Sequence, residues 1–265
     1  MENTMPTHYL NQNQSYWDQQ AAQDSPWSQP VSDELVLNAK NGIWDVHLMP
    51  SPIDKNWLDD IQGKKILCLA SAGGQQAPIL AAAGAIVTVL DISEGQLKKD
   101  QDIAEKHQLT LTTVQGNMND LSQFADESFD LVFHPISNLY VPNVNPVWQE
   151  CFRVLKTNGR LLASFYNPIV FVDDRDALLR QKGLLKPTYK IPFSDIRDLP
   201  KDLLQQKIDK GESLVFGHSL TDLIGGQTKA GFLIKDFIEE FAPHARFLID
   251  DYLPTFIATY AIKLD

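Results

Sequence analysis

Apolar residues in the middle of the chain come as short unbroken runs separated by polar, helix-compatible stretches. The first run, Ile66 to Leu69, is apolar at every position, which fits a strand covered on both faces. Small residues follow from Ala70 to Gly74, then a helix, then a second run, Ile86 to Leu90, closed by Asp91. Glu94 to His107 reads as a charged helix. LTLTTVQGNM, from Leu109, supplies a third strand that ends at Gln115, Gly116 and Asn117. The fourth strand spans Phe129 to Phe133, with His134 and Pro135 at its carboxyl end. A helix then runs through Trp148, Glu150, Arg153 and Leu155 into the fifth strand within KTNGRLLASFYNP. TKAGFLIKDFIEEF and PTFIATYAIKLD read as the sixth and seventh strands. Such alternation predicts a doubly wound α/β sheet.

In sheets of that kind ligands lie at the carboxyl ends of the strands. The small residues Ala70 to Gly74 let a backbone approach a ligand, and a carboxylate at Asp91 can accept two hydrogen bonds from a ribose diol. A dinucleotide site needs G-x-G-x-x-G, so that helix N-terminal amides meet a pyrophosphate, and the chain does not supply it. The methyl groups of Ala70 and Ala72 would crowd a diphosphate more than a slender chain.

The segment Lys64 to Ser93 resembles motifs I and II of the class I S-adenosylmethionine-dependent methyltransferases, written as a hydrophobic strand, GxGxG, and an acid after the second strand. The three glycine positions fall on Ala70, Ala72 and Gly74, and the acid on Asp91, with Ser93 two residues on. Cys68 stands where many members carry an acid that supports the loop. The variant ASAGGQQ is similar to a bacterial subgroup near the type 11 methyltransferases. Ser128-Phe129-Asp130 resembles the family's lead-in to the fourth strand, and KTNG its LKPGG turn. The resemblance implies a Rossmann-like seven-stranded sheet in the order 3-2-1-4-5-7-6, the last strand antiparallel, and S-adenosyl-L-methionine as cofactor. It places Asp91, Ile92 and Ser93 at the ribose, and Asn117 and Met118 at the adenine. Asn117 and Asn119 alternatively just form a turn. The methionyl carboxylate is expected against backbone amides and Ser71, Gln75 or Gln76, at a helix N-terminus where the dipole favours an anion.

Methyl transfer to a heteroatom draws most of its barrier reduction from positioning and desolvation. His134 lies where the methyl group is expected and could take a proton from the acceptor; alternatively it bonds the cofactor through its backbone while its ring caps the strand. Asn138 and Tyr140 follow and could orient an acceptor. Asn167-Pro168 is similar to the (D/N)PP(Y/F) signature of amino-methylating enzymes but follows the wrong strand and lacks the second proline and the aromatic. Between Asn167 and Gly217 lies an insertion long enough to be a lid and the substrate reader. Within it, Arg175, Arg180, Lys182, Lys186 and Lys190 against Asp176 give a local balance of +4, either an anion site or a solvated helix face.

The net charge of -11 and pI near 4.9 oppose a nucleic-acid substrate, which needs Lys and Arg to neutralise phosphates, and favour a small-molecule acceptor. Cys68 and Cys151 show no metal-ligand spacing and read as buried thiols in a reducing cytosol. The N-terminal residues lack the basic and apolar regions of a signal peptide, and no run approaches a membrane span, so a cytoplasmic protein without membrane partners is expected. Residues 1–60 carry Tyr9, Tyr16, Trp17, Trp27 and Trp44, too aromatic for a free tail, and read as an arm packing on a methyltransferase domain over 61–265, with the lid at 167–217. Two other function classes stay open: an NAD(P)-dependent oxidoreductase, and a non-catalytic S-adenosylmethionine-binding protein. The oligomeric state is not legible.

Overall fold

The computed structural model describes residues 8–173 and 176–264. Nine strands are present among them: β1 (Lys65–Leu69), β2 (Ile86–Asp91), β3 (Leu111–Gln115), β4 (Phe129–His134), β5 (Leu155–Tyr166), β6 (Phe193–Ser194), β7 (Phe216–Gly217), β8 (Phe232–Glu240) and β9 (Phe256–Lys263). The helices are α1 (His8–Ala22), α2 (Asp33–Lys40), α3 (Gln76–Ala82), α4 (Glu94–His107), α5 (Asn145–Val154), α6 (Ala177–Gln181), α7 (Asp195–Asp198), α8 (Lys201–Asp209), α9 (Leu220–Leu223) and α10 (Gly225–Ala230). Seven strands form one sheet in the order β3-β2-β1-β4-β5-β9-β8. Since β8 and β9 are its sixth and seventh members, this is the expected order. β3 to β5 run parallel, and β9 lies antiparallel between β5 and β8.

The unbroken apolar runs have their cause in this arrangement. On β1, Ile66 and Cys68 enter one hydrophobic cluster while Leu67 and Leu69 enter the other, so successive side chains bury on opposite faces. Val36, Ala39, Val46, Leu48, Trp57 and Leu58 join the first cluster beside Ile79 and Leu80 of α3 and Leu97 and Ile103 of α4, so the segment ahead of β1 shares the covering of that face with these two helices. Trp148, Cys151 and Val154 of α5 fill the other. Cys68 and Cys151 are fully buried and burial pushes both thiols up, as expected of inert packing residues.

The stretch read as the sixth strand starts as a helix. α10 ends at Gly231, whose left-handed φ of 112° lets the chain turn, and a Cβ there would meet the Phe152 ring at 2.7 Å. β8 begins one residue later.

The insertion after β5 forms a short turn over Pro168–Phe171, then α6, α7 and α8, with β6 and β7 paired antiparallel. Arg180, Lys182, Lys186 and Lys190 are exposed, which fits the solvated-face reading; Arg175 lies outside the described residues. The insertion meets α1 in a small cluster of Tyr9, Leu214 and Phe216, with Leu204 and Ile208 packed against it. Asn13 on α1 pairs with Leu214 as a strand residue would, its Nδ2 donating to the carbonyl at 3.0 Å and its Oδ1 accepting from the amide at 2.7 Å. None of the helices in the described residues is long and apolar enough to cross a membrane.

The register sets where a site can form. Tyr166, the last residue of β5, pairs with Phe256, the first of β9, so the start of β9 shares an edge with the carboxyl ends of β1 to β5.

Candidate active site

The turn after β1 takes the left-handed region three times, at Ala70 (φ 48°), Gly73 (φ 119°) and Gly74 (φ 74°). At Gly73 the glycine is required twice over, since a Cβ would stand 2.7 Å from Gln96 Oε1. Beneath the turn sits a residue that sequence reading missed, Asp100 of α4. It is fully buried, and its Oδ2 accepts from the Gly73 amide at 2.9 Å while Oδ1 has no partner. Burial pushes its carboxyl up to about 7, against the pull of the Gly73 and Gly74 amides. Its charge also helps push the Cys68 thiol up. An acid from α4 thus supports the turn from beneath, where β1 itself offers only Cys68. A signal existed, because Gln96 and Asp100 share a helical face with the buried Leu97, Ile103 and Ala104.

Asp91 closes β2 with both carboxylate oxygens engaged: Oδ1 accepts from the Ser93 amide at 3.0 Å and Oδ2 from the Ala72 amide at 3.3 Å. Burial pushes it up to about 6, opposed by the amides of Ser93, Ala72 and Ile92. Ser93 Oγ caps α4 by accepting from the Gln96 amide at 3.1 Å and donates to Asp18 Oδ1 at 2.6 Å. Asp18 also accepts from the Gly95 amide at 3.0 Å, so α1 is locked onto the start of α4.

A cavity of about 1110 Å³ opens at this edge. Ala70, Ser71, Ala72, Gln75, Gln76, Asp91, Ile92, Asn117 and Met118 all line it; Gly74 and Ser93 stand behind the wall. Ser71 Oγ is buried there without a hydrogen-bond partner. Gln75 Nε2 donates to the carbonyls of Pro26 and Gln29, and Gln76 Oε1 accepts from the His47 amide at 2.7 Å, so both side chains tie the N-terminal segment to the turn. Asn117 Oδ1 accepts from the Asn119 amide at 3.1 Å, which is the turn geometry, on the cavity wall.

One family model, described as a methyltransferase domain, matches residues 67–163. The chain is 47% identical over 253 residues to the uncharacterised methyltransferase YbaJ of Bacillus subtilis (strain 168), covering 95% of this chain and 97% of that one. The chain belongs to the class I S-adenosylmethionine-dependent methyltransferases. Its fold is shared with the S-adenosylmethionine-dependent methyltransferase of Mesorhizobium loti (TM-score 0.57, 20% identity, 78% of this chain and 94% of that one). A Methanosarcina mazei methyltransferase structure is similar at a TM-score of 0.54, with 20% identity over 79% and 95% of the two chains.

For a methyltransferase the wall is suitably furnished. A buried hydroxyl without a partner and an acid holding only two of its roughly four acceptor positions are groups that a methionyl nucleoside can satisfy. His134 and Asn138 do not join them. His134 is fully buried, its Nδ1 carrying the proton donated to the Leu69 carbonyl at 2.9 Å, its Nε2 without a partner and its ring edge-on to Trp148. Burial pushes it down to about 4, so it is neutral. Asn138 Nδ2 donates to the Ser164 carbonyl at 3.1 Å, and its own carbonyl accepts from His218 Nε2 at 2.9 Å. Neither side chain lines the cavity: His134 ties β4 to β1, and Asn138 ties its loop to β5. The ring of His134 thus sits as the strand-capping alternative expects, and the side chain of Asn138 is engaged within the fold.

The far end of the cavity lies past β4, where Tyr140, Tyr166, Arg246, Phe247 and Phe256 contribute to the wall. Leu10, Tyr16 and Trp17 of α1 face it from above, with Phe171, Ser213 and Val215 of the insertion. Trp17 packs edge-on to Tyr140 at 5.5 Å. Burial pushes the Tyr140 phenol well up, with Tyr16 and Tyr166 adding to the effect. It therefore stays protonated and acts as a donor.

Proposed function

We propose that the chain methylates a small-molecule acceptor held at the β4–β5–β9 end of the cavity, beneath α1 and the insertion. The observation that carries this is the continuity of one cavity, which runs from Ala70 and Asp91 at one end to Tyr166 and Phe256 at the other. Its volume exceeds the roughly 300–1,000 Å³ usual for one ligand site, leaving room for a cofactor and a modest second molecule.

Asp91 would hold the ribose, Ser71 and the amides of the turn the methionyl end, and Ile92, Asn117 and Met118 the adenine. When bound, S-adenosyl-L-methionine supplies an activated methyl group on a sulfonium. The chain's own part is positioning and the exclusion of water. Trp17, Tyr140 and Phe171 roof the route to solvent, and the Tyr140 hydroxyl can donate to the acceptor. Among the described residues on the wall between the two ends, Pro135, Ile136, Ser137 and Leu139 carry no strong base. Titratable side chains elsewhere on the wall, among them His47, Glu212 and His244, lie off that loop, so a proton leaving the acceptor would pass to one of them or to solvent. The net charge of -11 supports a small acceptor over nucleic acid, whose binding needs a basic surface.

Mass spectrometry of ligand carried by the purified protein, followed by methyl-donor consumption against metabolite pools, tests the reading. S-adenosylhomocysteine should be found and a small acceptor turned over. Calorimetric binding of NADH without S-adenosylhomocysteine would overturn the cofactor assignment, and tight salt-sensitive binding to tRNA or DNA the acceptor assignment.

A further inference from the structure

Arg246 is a half-buried cation that the fold leaves half used. It precedes a single 3-10 turn, Leu248–Asp251, just ahead of β9. Its guanidinium lies 4.9 Å from the Tyr166 ring centre and 5.4 Å from those of Phe247 and Phe256. Nη1 donates to Tyr166 Oη at 2.9 Å in a half-buried bond, while Nη2, out of solvent, has no partner. Asp250 is the acid built into this turn, and it is already occupied. Its Oδ2 accepts from the backbone amides of Arg246 and Phe247 at 2.8 Å, and its Oδ1 from Thr255 Oγ1 at 2.7 Å. Among the described residues no carboxylate pairs with the Arg246 guanidinium.

We propose that Arg246 reads a carboxylate on the methyl acceptor, whose apolar body lies against Tyr166, Phe247 and Phe256. This rests on the small-acceptor reading above and narrows its class. Withdrawing a cation part-way from water without a counter-ion carries a desolvation cost, and a guanidinium presents paired donors that match a carboxylate. Three rings around the head group fix its plane, and Arg246 itself is part of the cavity wall. The basic stretch of the insertion cannot serve, since Arg180, Lys182, Lys186 and Lys190 are exposed and off the wall. Reach is suitable too: β1 and β5 are separated by β4 alone, so the strand ends flanking the cofactor turn and the handle are about 10 Å apart.

Protein saturated with S-adenosylhomocysteine is titrated by calorimetry with phenylacetate and octanoate, with the corresponding amides, and with phenyl phosphate. Each acid should bind at least about tenfold more tightly than its amide. Arg246→Gln should bring that ratio to about one with S-adenosylhomocysteine affinity unchanged, and Arg246→Lys should restore part of it. The acid-over-amide ratio of the unaltered protein decides the matter even where a variant fails to fold. No acid binding more tightly than its amide, a preference that survives in folded Arg246→Gln, or phenyl phosphate binding ahead of both acids would each overturn the proposal. Failure of the unaltered protein to bind S-adenosylhomocysteine would instead overturn the cofactor assignment.

Discussion

The two ends of the cavity are built on opposite terms. At the β1–β2–β3 end, backbone amides and one acid from contiguous chain form a rigid cradle, supported from beneath by Asp100 and α4. At the β5–β9 end, side chains from α1, the β4 loop, the insertion and the turn before β9 meet across long sequence separations, under a roof made of added segments. A backbone cradle resists change because its groups are already mutually satisfied, whereas a side-chain wall can be altered one residue at a time. Binding of the cofactor and recognition of the acceptor should therefore be separable.

The largest effect is expected from replacing residues 172–210 with a short Gly/Ser linker. Turnover of the recovered acceptor should fall roughly a hundredfold or more, since Phe193 and Asp195, which hold Phe171 and Val215 in the wall, are lost, so that water enters and the acceptor loses its orientation. S-adenosylhomocysteine affinity, measured by calorimetry, should stay within a few-fold. Retained turnover would show that the roof is ornament and that the acceptor site lies elsewhere.

Asp91→Ala attacks the other end. Loss of hydrogen bonds to a charged group should cost roughly 1.5–3 kcal/mol of S-adenosylhomocysteine binding. Acid-over-amide discrimination at the far end should persist at saturating ligand. Equal damage to both measurements would mean that the ends are coupled.

The sequence made these two ends unequally legible. Asp91, the small turn and the succession of strands follow from local runs and spacings, and the strand order from the family resemblance those runs carry, so none needed tertiary information. Arg246 and Tyr166 are 80 positions apart and meet only through the β5–β9 pairing, which no local pattern announces. His134 stands at the carboxyl end of β4, but which way its ring turns depends on a carbonyl 65 residues away, at Leu69. Asn13 and Asp18, in a segment flagged only by its aromatics, turn out to be the polar fasteners of α1.

Asp100→Asn tests the support beneath the cradle, with a smaller effect of unusual sign. The folded protein holds the Asp100 proton more tightly than the unfolded chain, up to about 7, so stability drains away as pH rises from about 4 through 7. An asparagine keeps an acceptor for Gly73, supplies a donor where Oδ1 has none, and never ionises. The variant should be more stable than the parent at pH 8, on the order of 2 kcal/mol by urea unfolding, with the difference fading below about pH 5. A variant less stable at pH 8 would mean that the ionised acid is tolerated through bonds beyond the two amides.

The smallest expected effect separates the two alanines that replace motif glycines. Ala70 occupies the left-handed region at φ 48°, while Ala72 is not at positive φ. Left-handed backbone costs a residue with a Cβ roughly 1–2 kcal/mol, and a new glycine costs about 0.4–1 kcal/mol through the freer unfolded chain. Ala70→Gly trades the first against the second and should be neutral to stabilising by about 1 kcal/mol. Ala72→Gly has only the loss and should destabilise by about 0.5–1 kcal/mol. Urea unfolding of the pair at one pH measures the contrast, and S-adenosylhomocysteine affinity should change little in either, because the Ala70 amide already donates to the Leu90 carbonyl at 2.7 Å and the Ala72 amide to Asp91. If the two variants shift stability equally, backbone strain at Ala70 is not what distinguishes this turn, and the methyl groups matter through their contacts instead.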